Sequence, residues 1–280
     1  MMNRIIVFLA VVLHSNCSVL ADITYGTNGA TYSQNFDSLA ATGTSNIWAN
    51  DSTISGWHLF RRTSSADTTP VAVTEYDSGP GTSTTGKFWS FGLVSNSDRA
   101  LGGIGSGSST QWGSAPGGQV AGWQAASFTN TTGSTLTMAT ISFRGEQWRD
   151  GGNNPAVSQS MTLEYGFGTT FGGVATWNAP GGNFNWASPV FTNTTSGAAV
   201  DGNVAGLVAG RGGTINGLNW ANNQRLFIRW IEINDAGNDH GLAIDNFQFS
   251  AIPEPRSLAF LAGVIAIGTI IARRRVLKSR

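Results

Sequence analysis

The chain has 280 residues and a formal net charge of zero, from 16 Lys or Arg and 16 Asp or Glu. The zero joins unlike segments: between Asp22 and Ile252 nine basic residues face fifteen acidic ones, a balance of −6, and most remaining positive charge follows Glu254. A mildly acidic body argues against nucleic acid as a partner, for which a basic face is expected.

The order along the chain begins with an export pattern. Arg4 gives a basic start, residues 5–13 an apolar run, and Val19-Leu20-Ala21 a small-residue cleavage site, so residues 1–21 read as a signal peptide. The single cysteine, Cys17, falls within it, and His14 and Asn16 stand where a lipoprotein signal needs an aliphatic and a small residue. The body, residues 22–251, therefore has no disulfide and no thiol chemistry, and one large core must hold it.

From Asp22 onward no window sustains a helical period, whereas short alternating runs recur between Gly, Asn and Pro clusters. Strands are expected over 32–39, 56–61, 69–76 and 87–93, with a turn-rich loop at 77–86. Residues 102–118, dense in Gly and Ser, read as a surface loop. Two long strands, 119–128 and 134–149, flank the turn Asn130-Thr131-Thr132-Gly133. Met161, Leu163, Tyr165 and Phe167 alternate with Thr162, Glu164 and Gly166, the clearest two-residue period in the chain. Residues 171–199 are looser, and strands over 213–219, 225–233 and 242–250 complete the set. Ten to fourteen strands without a helix fit an all-β, single two-sheet sandwich of the jelly-roll kind.

Three groups of residues carry candidate chemistry. Asp235, Asp239 and Asp245, with Asn234 and Asn238 in a Gly-bearing loop and Asp37 near the first strand, supply the hard oxygens that a structural Ca²⁺ takes; Asx-turns would use the same residues. Glu146, flanked by Arg144 and Arg149, invites an acid–base reading, but no second carboxylate stands at a fixed short spacing, and a cross-strand Arg–Glu pair is the simpler account. His58 and His240 show no metal-ligand spacing, and no G-x-S-x-G elbow is present. The ten tryptophans are the stronger lead, because flat aromatic faces suit sugar rings. Trp112, Trp177 and Trp186 lie in Gly-, Ser- and Asn-rich stretches, where exposure and glycan contact are expected.

The tail, residues 252–280, opens on Pro253-Glu254-Pro255, continues with an uncharged apolar run over 258–272, and ends in a basic segment, 273–280, that starts Arg273-Arg274-Arg275. Fifteen residues give roughly 22 Å of helix, a marginal membrane span whose basic flank stays cytoplasmic. This order resembles the PEP-CTERM sorting signal of Gram-negative bacteria. The resemblance implies transient anchoring in the inner membrane, removal of the tail by an exosortase, and delivery to the cell surface or extracellular matrix. The stretches Asn35-Phe36-Asp37-Ser38-Leu39, Asp98-Arg99-Ala100-Leu101-Gly102, Phe143-Arg144-Gly145-Glu146-Gln147-Trp148-Arg149-Asp150-Gly151, Asp201-Gly202-Asn203 and Arg229-Trp230-Ile231-Glu232-Ile233-Asn234-Asp235, the last leading through Gly237-Asn238-Asp239-His240-Gly241-Leu242-Ala243 to Ile244-Asp245-Asn246-Phe247, resemble an extracellular bacterial sandwich module. That resemblance implies a fold related to lectin-like and carbohydrate-binding sandwiches. The expected product is a non-catalytic surface or exopolysaccharide-matrix protein for adhesion, structure or glycan binding. The alternative is a secreted polysaccharide hydrolase, for which Glu146 would share a groove with Glu164 or Glu232.

Overall fold

The computed structural model describes residues 22–254; residues 1–21, where a signal peptide is expected, and the tail from Pro255 onward lie outside the described residues. In chain order the strands are β1 (Ile23–Tyr25), β2 (Tyr32–Gln34), β3 (Asn46–Ile47), β4 (Trp57–Arg62), β5 (Pro70–Ala72), β6 (Glu75–Gly79), β7 (Lys87–Phe91) and β8 (Ala100–Ile104). After a one-turn helix, α1 (Ser109–Trp112), come β9 (Gln119–Asn130), β10 (Leu136–Asp150), β11 (Ser160–Phe167), β12 (Trp186–Ala187), β13 (Ala198–Ala199), β14 (Leu207–Trp220), β15 (Arg225–Asn234) and β16 (Gly241–Ile252). Seven strands form a first sheet in the order β12-β11-β15-β9-β4-β5, with β1 parallel to β9. Nine form a second, β13-β10-β16-β8-β7-β6-β3, with β14 added to β10 and β2 to β16. The chain is an all-β two-sheet sandwich. Among the described residues no helix is long and apolar enough to cross a membrane; the apolar run 258–272 falls outside them.

Alternation decides which side chains meet between the sheets. Ala139, Ile141 and Phe143 of β10 point inward and are buried, while Thr140, Ser142 and Arg144 point out and are exposed. The inward residues meet an aromatic centre in which Trp57 stacks on Trp230 at 5.9 Å and Phe247 packs edge-on against both. Each such side chain contributes roughly 1.5–3 kcal/mol by leaving water, which is how a body without disulfides is held. The N-terminal edge is tied by charge: Asp22 accepts from Ser127 Oγ at 2.8 Å and Thr129 Oγ1 at 2.6 Å and pairs with Arg225.

The seven strand expectations from 87–93 onward that rest on alternation or length are met by β7, β9, β10, β11, β14, β15 and β16. The expected loop at 102–118 is a correction. Its start belongs to β8, a fully buried strand between β7 and β16, and its middle carries the buried Trp112 and Ala115. Glycine is required there by close approach: a Cβ on Gly102 would stand 2.0 Å from the Leu242 carbonyl oxygen. The first expected strand stops at Gln34 because Phe36 adopts φ 57, and the expected 77–86 loop begins inside β6, which runs parallel to β7.

Candidate functional site

At one end of the sandwich the end of β8, the end of β10 and the β15–β16 connection enclose a polar cleft of about 410 Å³. Ser106, Arg149, Asn234, Asn238 and Asp239 supply its polar walls. Gly105 lets the wall close: a Cβ there would lie 2.0 Å from the Ile233 carbonyl oxygen and 2.8 Å from Asp239 Oδ1. The walls are held by side-chain bonds to backbone. Asn234 Nδ2 donates to the Ala115 carbonyl at 2.7 Å, Asn238 Nδ2 to Gly152 at 2.7 Å, and Arg149 Nη1 to Gly81 at 3.1 Å.

Asp239 folds back to accept from the Asp235 amide at 2.6 Å, closing the β15–β16 turn. Burial pushes its carboxyl up to about 7, helped by the charge of Asp235, which burial itself raises to about 6. Beneath them Glu232 points into the sandwich interior opposite Gly103, where a Cβ would sit 3.0 Å from Glu232 Cδ. Burial first, then the charges of Asp239 and Asp235, raise Glu232 well above the usual carboxylate range. Behind the cleft, Gln147 meets His240 Nδ1 at 3.2 Å, and His240 Nε2 stands 3.3 Å from Asp150 Oδ1. Burial lowers the His240 pKa; the Gln147 amide donating to Nδ1 puts the proton of the neutral ring on Nε2, which faces Asp150 without a hydrogen bond of normal geometry. Asp150 in turn accepts from Thr192 Oγ1 at 2.6 Å and anchors the segment whose Thr195 and Gly197 line the cleft.

The four carboxylates expected to share a calcium ion do not converge. Asp239 lines the cleft and Asp235 is tied to it in the β15–β16 turn, while β16 runs from there as an extended strand and carries Asp245 about 15–20 Å along the second sheet. Asp37 is exposed and accepts from the Arg99 amide at 3.1 Å. Among the described residues no three His, Cys, Asp or Glu side chains form a metal-holding group. Asp245 instead neighbours Glu146 on the outer face of the second sheet. Burial first, then the charges of Asp98 and Asp37, raise Asp245 to about 7; burial first, then the charge of Asp245, raise Glu146 to about 8.

Two of the three tryptophans expected at the surface are core residues. Trp112 is fully buried, donates from Nε1 to the Ile104 carbonyl at 3.0 Å and meets Phe88 edge-on at 4.7 Å. Trp186 is 4 % exposed, and its ring fills the space left by Gly145. Trp177 is half-buried, with the Arg229 guanidinium 3.7 Å from its ring centre. The aromatic among the exposed large apolar side chains is Phe191, next to the Asp150-bonded Thr192. Alternation could not find it, because it stands outside any strand.

The carboxylates proposed for a hydrolase are also separated. Glu164 lies on the outer face of the first sheet, where Arg229 Nε and Nη2 donate to its Oε2 at 2.8 and 2.5 Å. Glu146 is on the outer face of the second sheet, fully buried, and accepts from Trp148 Nε1 at 3.0 Å. The cross-strand Arg–Glu pair expected for Glu146 is formed by Glu164 and Arg229.

No family model and no curated protein matches the chain. Among solved structures it is similar to the CBM22-1 xylan-binding domain from Paenibacillus barcinonensis Xyn10C, with a TM-score of 0.36 and 10% identity over 82% of this chain and 100% of that domain. At that level the likeness carries no argument about ligand or mechanism.

Proposed function

We propose that the protein is an exported, non-catalytic jelly-roll module of the lectin-like kind that binds carbohydrate in the polar cleft at the end of the sandwich. The cleft carries this reading. Arg149 offers donors, Asp239 acceptors, and Asn234, Asn238 and Ser106 further polar groups, within a volume that accommodates one or two sugar rings. A polyol presents closely spaced hydroxyl groups that donate and accept, and such a wall answers both. Phe191 on the adjoining segment supplies a candidate apolar face for a ring. A hydrolytic role is disfavoured by the separation of Glu146 from Glu164 on opposite outer faces and by the interior position of Glu232.

The sorting proposal rests on the tail. Pro253-Glu254-Pro255, the apolar run and Arg273-Arg274-Arg275 support recognition by an exosortase and delivery to the envelope or exopolysaccharide matrix. Mass spectrometry of the exported protein should find a start near Asp22 and a trimmed C-terminus; an exported molecule still ending at Arg280 would count against processing.

A glycan array probed with the purified protein tests the binding. Retention of at least one polysaccharide class is expected, weakened tenfold or more in Asp239→Ala. Affinity should also rise as pH increases through about 7, because ionised Asp239 is the better acceptor, and Asp239→Asn should flatten that dependence. An array without bound glycan, or binding indifferent to Asp239, contradicts the proposal.

A further inference from the structure

Glu146 and Asp245 stand on neighbouring antiparallel strands, in the pairs Glu146–Ala243 and Arg144–Asp245, so they are diagonal neighbours on the outer face of the second sheet. Neither reaches water: Glu146 is 0% exposed and Asp245 1%. The turn around Gly202 closes over them by pressing on Trp148, the residue that donates to Glu146 Oε2. Glu146 Oε1 and both carboxylate oxygens of Asp245 have no hydrogen-bond partner. The Asn246 amide eases the Asp245 charge without forming a bond of normal geometry.

The surrounding charges make the deficit larger. Asp98, held by Asn203 Nδ2 at 2.6 Å, adds negative charge felt by both residues, and Asp37 adds more at Asp245. Arg144 attracts both but is exposed, so solvent screens it. Arg99, though buried, donates from Nε to Ser90 Oγ at 2.9 Å and from Nη2 to the Ser90 carbonyl, and its own attraction is to Asp98 and Asp37. A buried carboxylate without a partner is among the costliest groups a fold carries.

We propose that Glu146 and Asp245 hold a hard divalent cation, calcium, beneath the 201–206 turn. Carboxylate oxygens are the ligands that calcium prefers, and two carboxylates supply up to about four of the roughly six to eight it takes. No third carboxylate closes on the same point among the described residues, so main-chain carbonyls and water complete the shell. The ion pins the 201–206 turn to β10 and β16, a structural role independent of the cleft.

Calorimetric titration of the purified full-length protein with Ca²⁺ after chelator treatment, together with melting curves, tests the site. One ion per chain and a melting point raised by several degrees are expected. Glu146→Gln and Asp245→Asn should each weaken binding at least tenfold, whereas Asp239→Asn at the cleft should leave it unchanged. In chelator both amide variants should melt at or above the parent, because each replaces a buried carboxyl whose ionisation the fold opposes with a neutral group, and this also reports that they fold. Absence of both heat and melting shift overturns the proposal, as does calcium binding that survives both amide variants or is lost in Asp239→Asn.

Discussion

The outer face of the first sheet and the outer face of the second are both covered by later parts of the chain, but the charges under the two covers are treated differently. On the first, Arg229 lies between the rings of Trp123 and Trp177, at 5.4 and 3.7 Å from their centres, and donates twice to Glu164. Phe171 and Val174 of the covering loop add an apolar layer with Phe227 and Ile231. On the second, Trp89, Phe91 and Trp148 form a comparable aromatic layer, yet Glu146 and Asp245 beside it receive a single side-chain bond between them. Equal residue types at equal strand positions thus end in opposite electrostatic states. The difference lies in what the neighbouring strand presents: Arg229 sits directly opposite Glu164, whereas Ala243 sits opposite Glu146.

The largest effect that sharpens this contrast is loss of aromatic packing on the second face. Trp148→Ala should cost about 3–5 kcal/mol in urea unfolding, because the ring is fully buried and lies nearly parallel to Phe91 at 6.2 Å. Acid should next attack the first face. His58 there is buried beside Phe60 and Phe227, and its pKa is lowered to about 4, by burial first, from 6.5. The unfolded chain binds the proton more readily, so the stability that His58 contributes is present above pH 6.5 and is lost as pH falls from 6.5 towards 4. The loss is at most about 3 kcal/mol, and His58→Gln should remove that slope from unfolding measured against pH.

Arg229→Ala should cost about 2 kcal/mol, since it strips Glu164 of its partner and Trp177 of its cation, and a cycle with Glu164→Ala should reveal the coupling. A cost equal to that of an exposed surface pair would break the comparison. Trp177→Ala, at the half-buried rim of the same face, should cost about 1 kcal/mol in the same assay.

The long strands were legible because a two-residue period survives wherever one face is buried and the other is wet, as in β11. The short, fully buried β8 was not, since Ala-Leu-Gly-Gly-Ile has no polar face to alternate with, and its glycines mimic a loop while they serve close strand contact. Trp112 was misplaced for the same reason: glycine and serine around it mark tight packing of α1 against the core, not exposure. How the candidate acidic residues are divided depends on strand length, which separates Asp245 from Asp239, and on register, which joins Asp245 to the Arg144–Glu146 stretch. Register between distant strands is a property of the whole sheet, so no local window of sequence contains it.

Carbohydrate binding at the cleft is tested most directly by recording amide resonances of the labelled protein during titration with a glycan retained on the array. The expected changes concentrate at Ser106, Arg149, Asn234, Asn238 and Asp239, with those around Trp177 unmoved. Changes centred on Trp177 and Arg229, or none at the cleft at saturating glycan, would contradict the account.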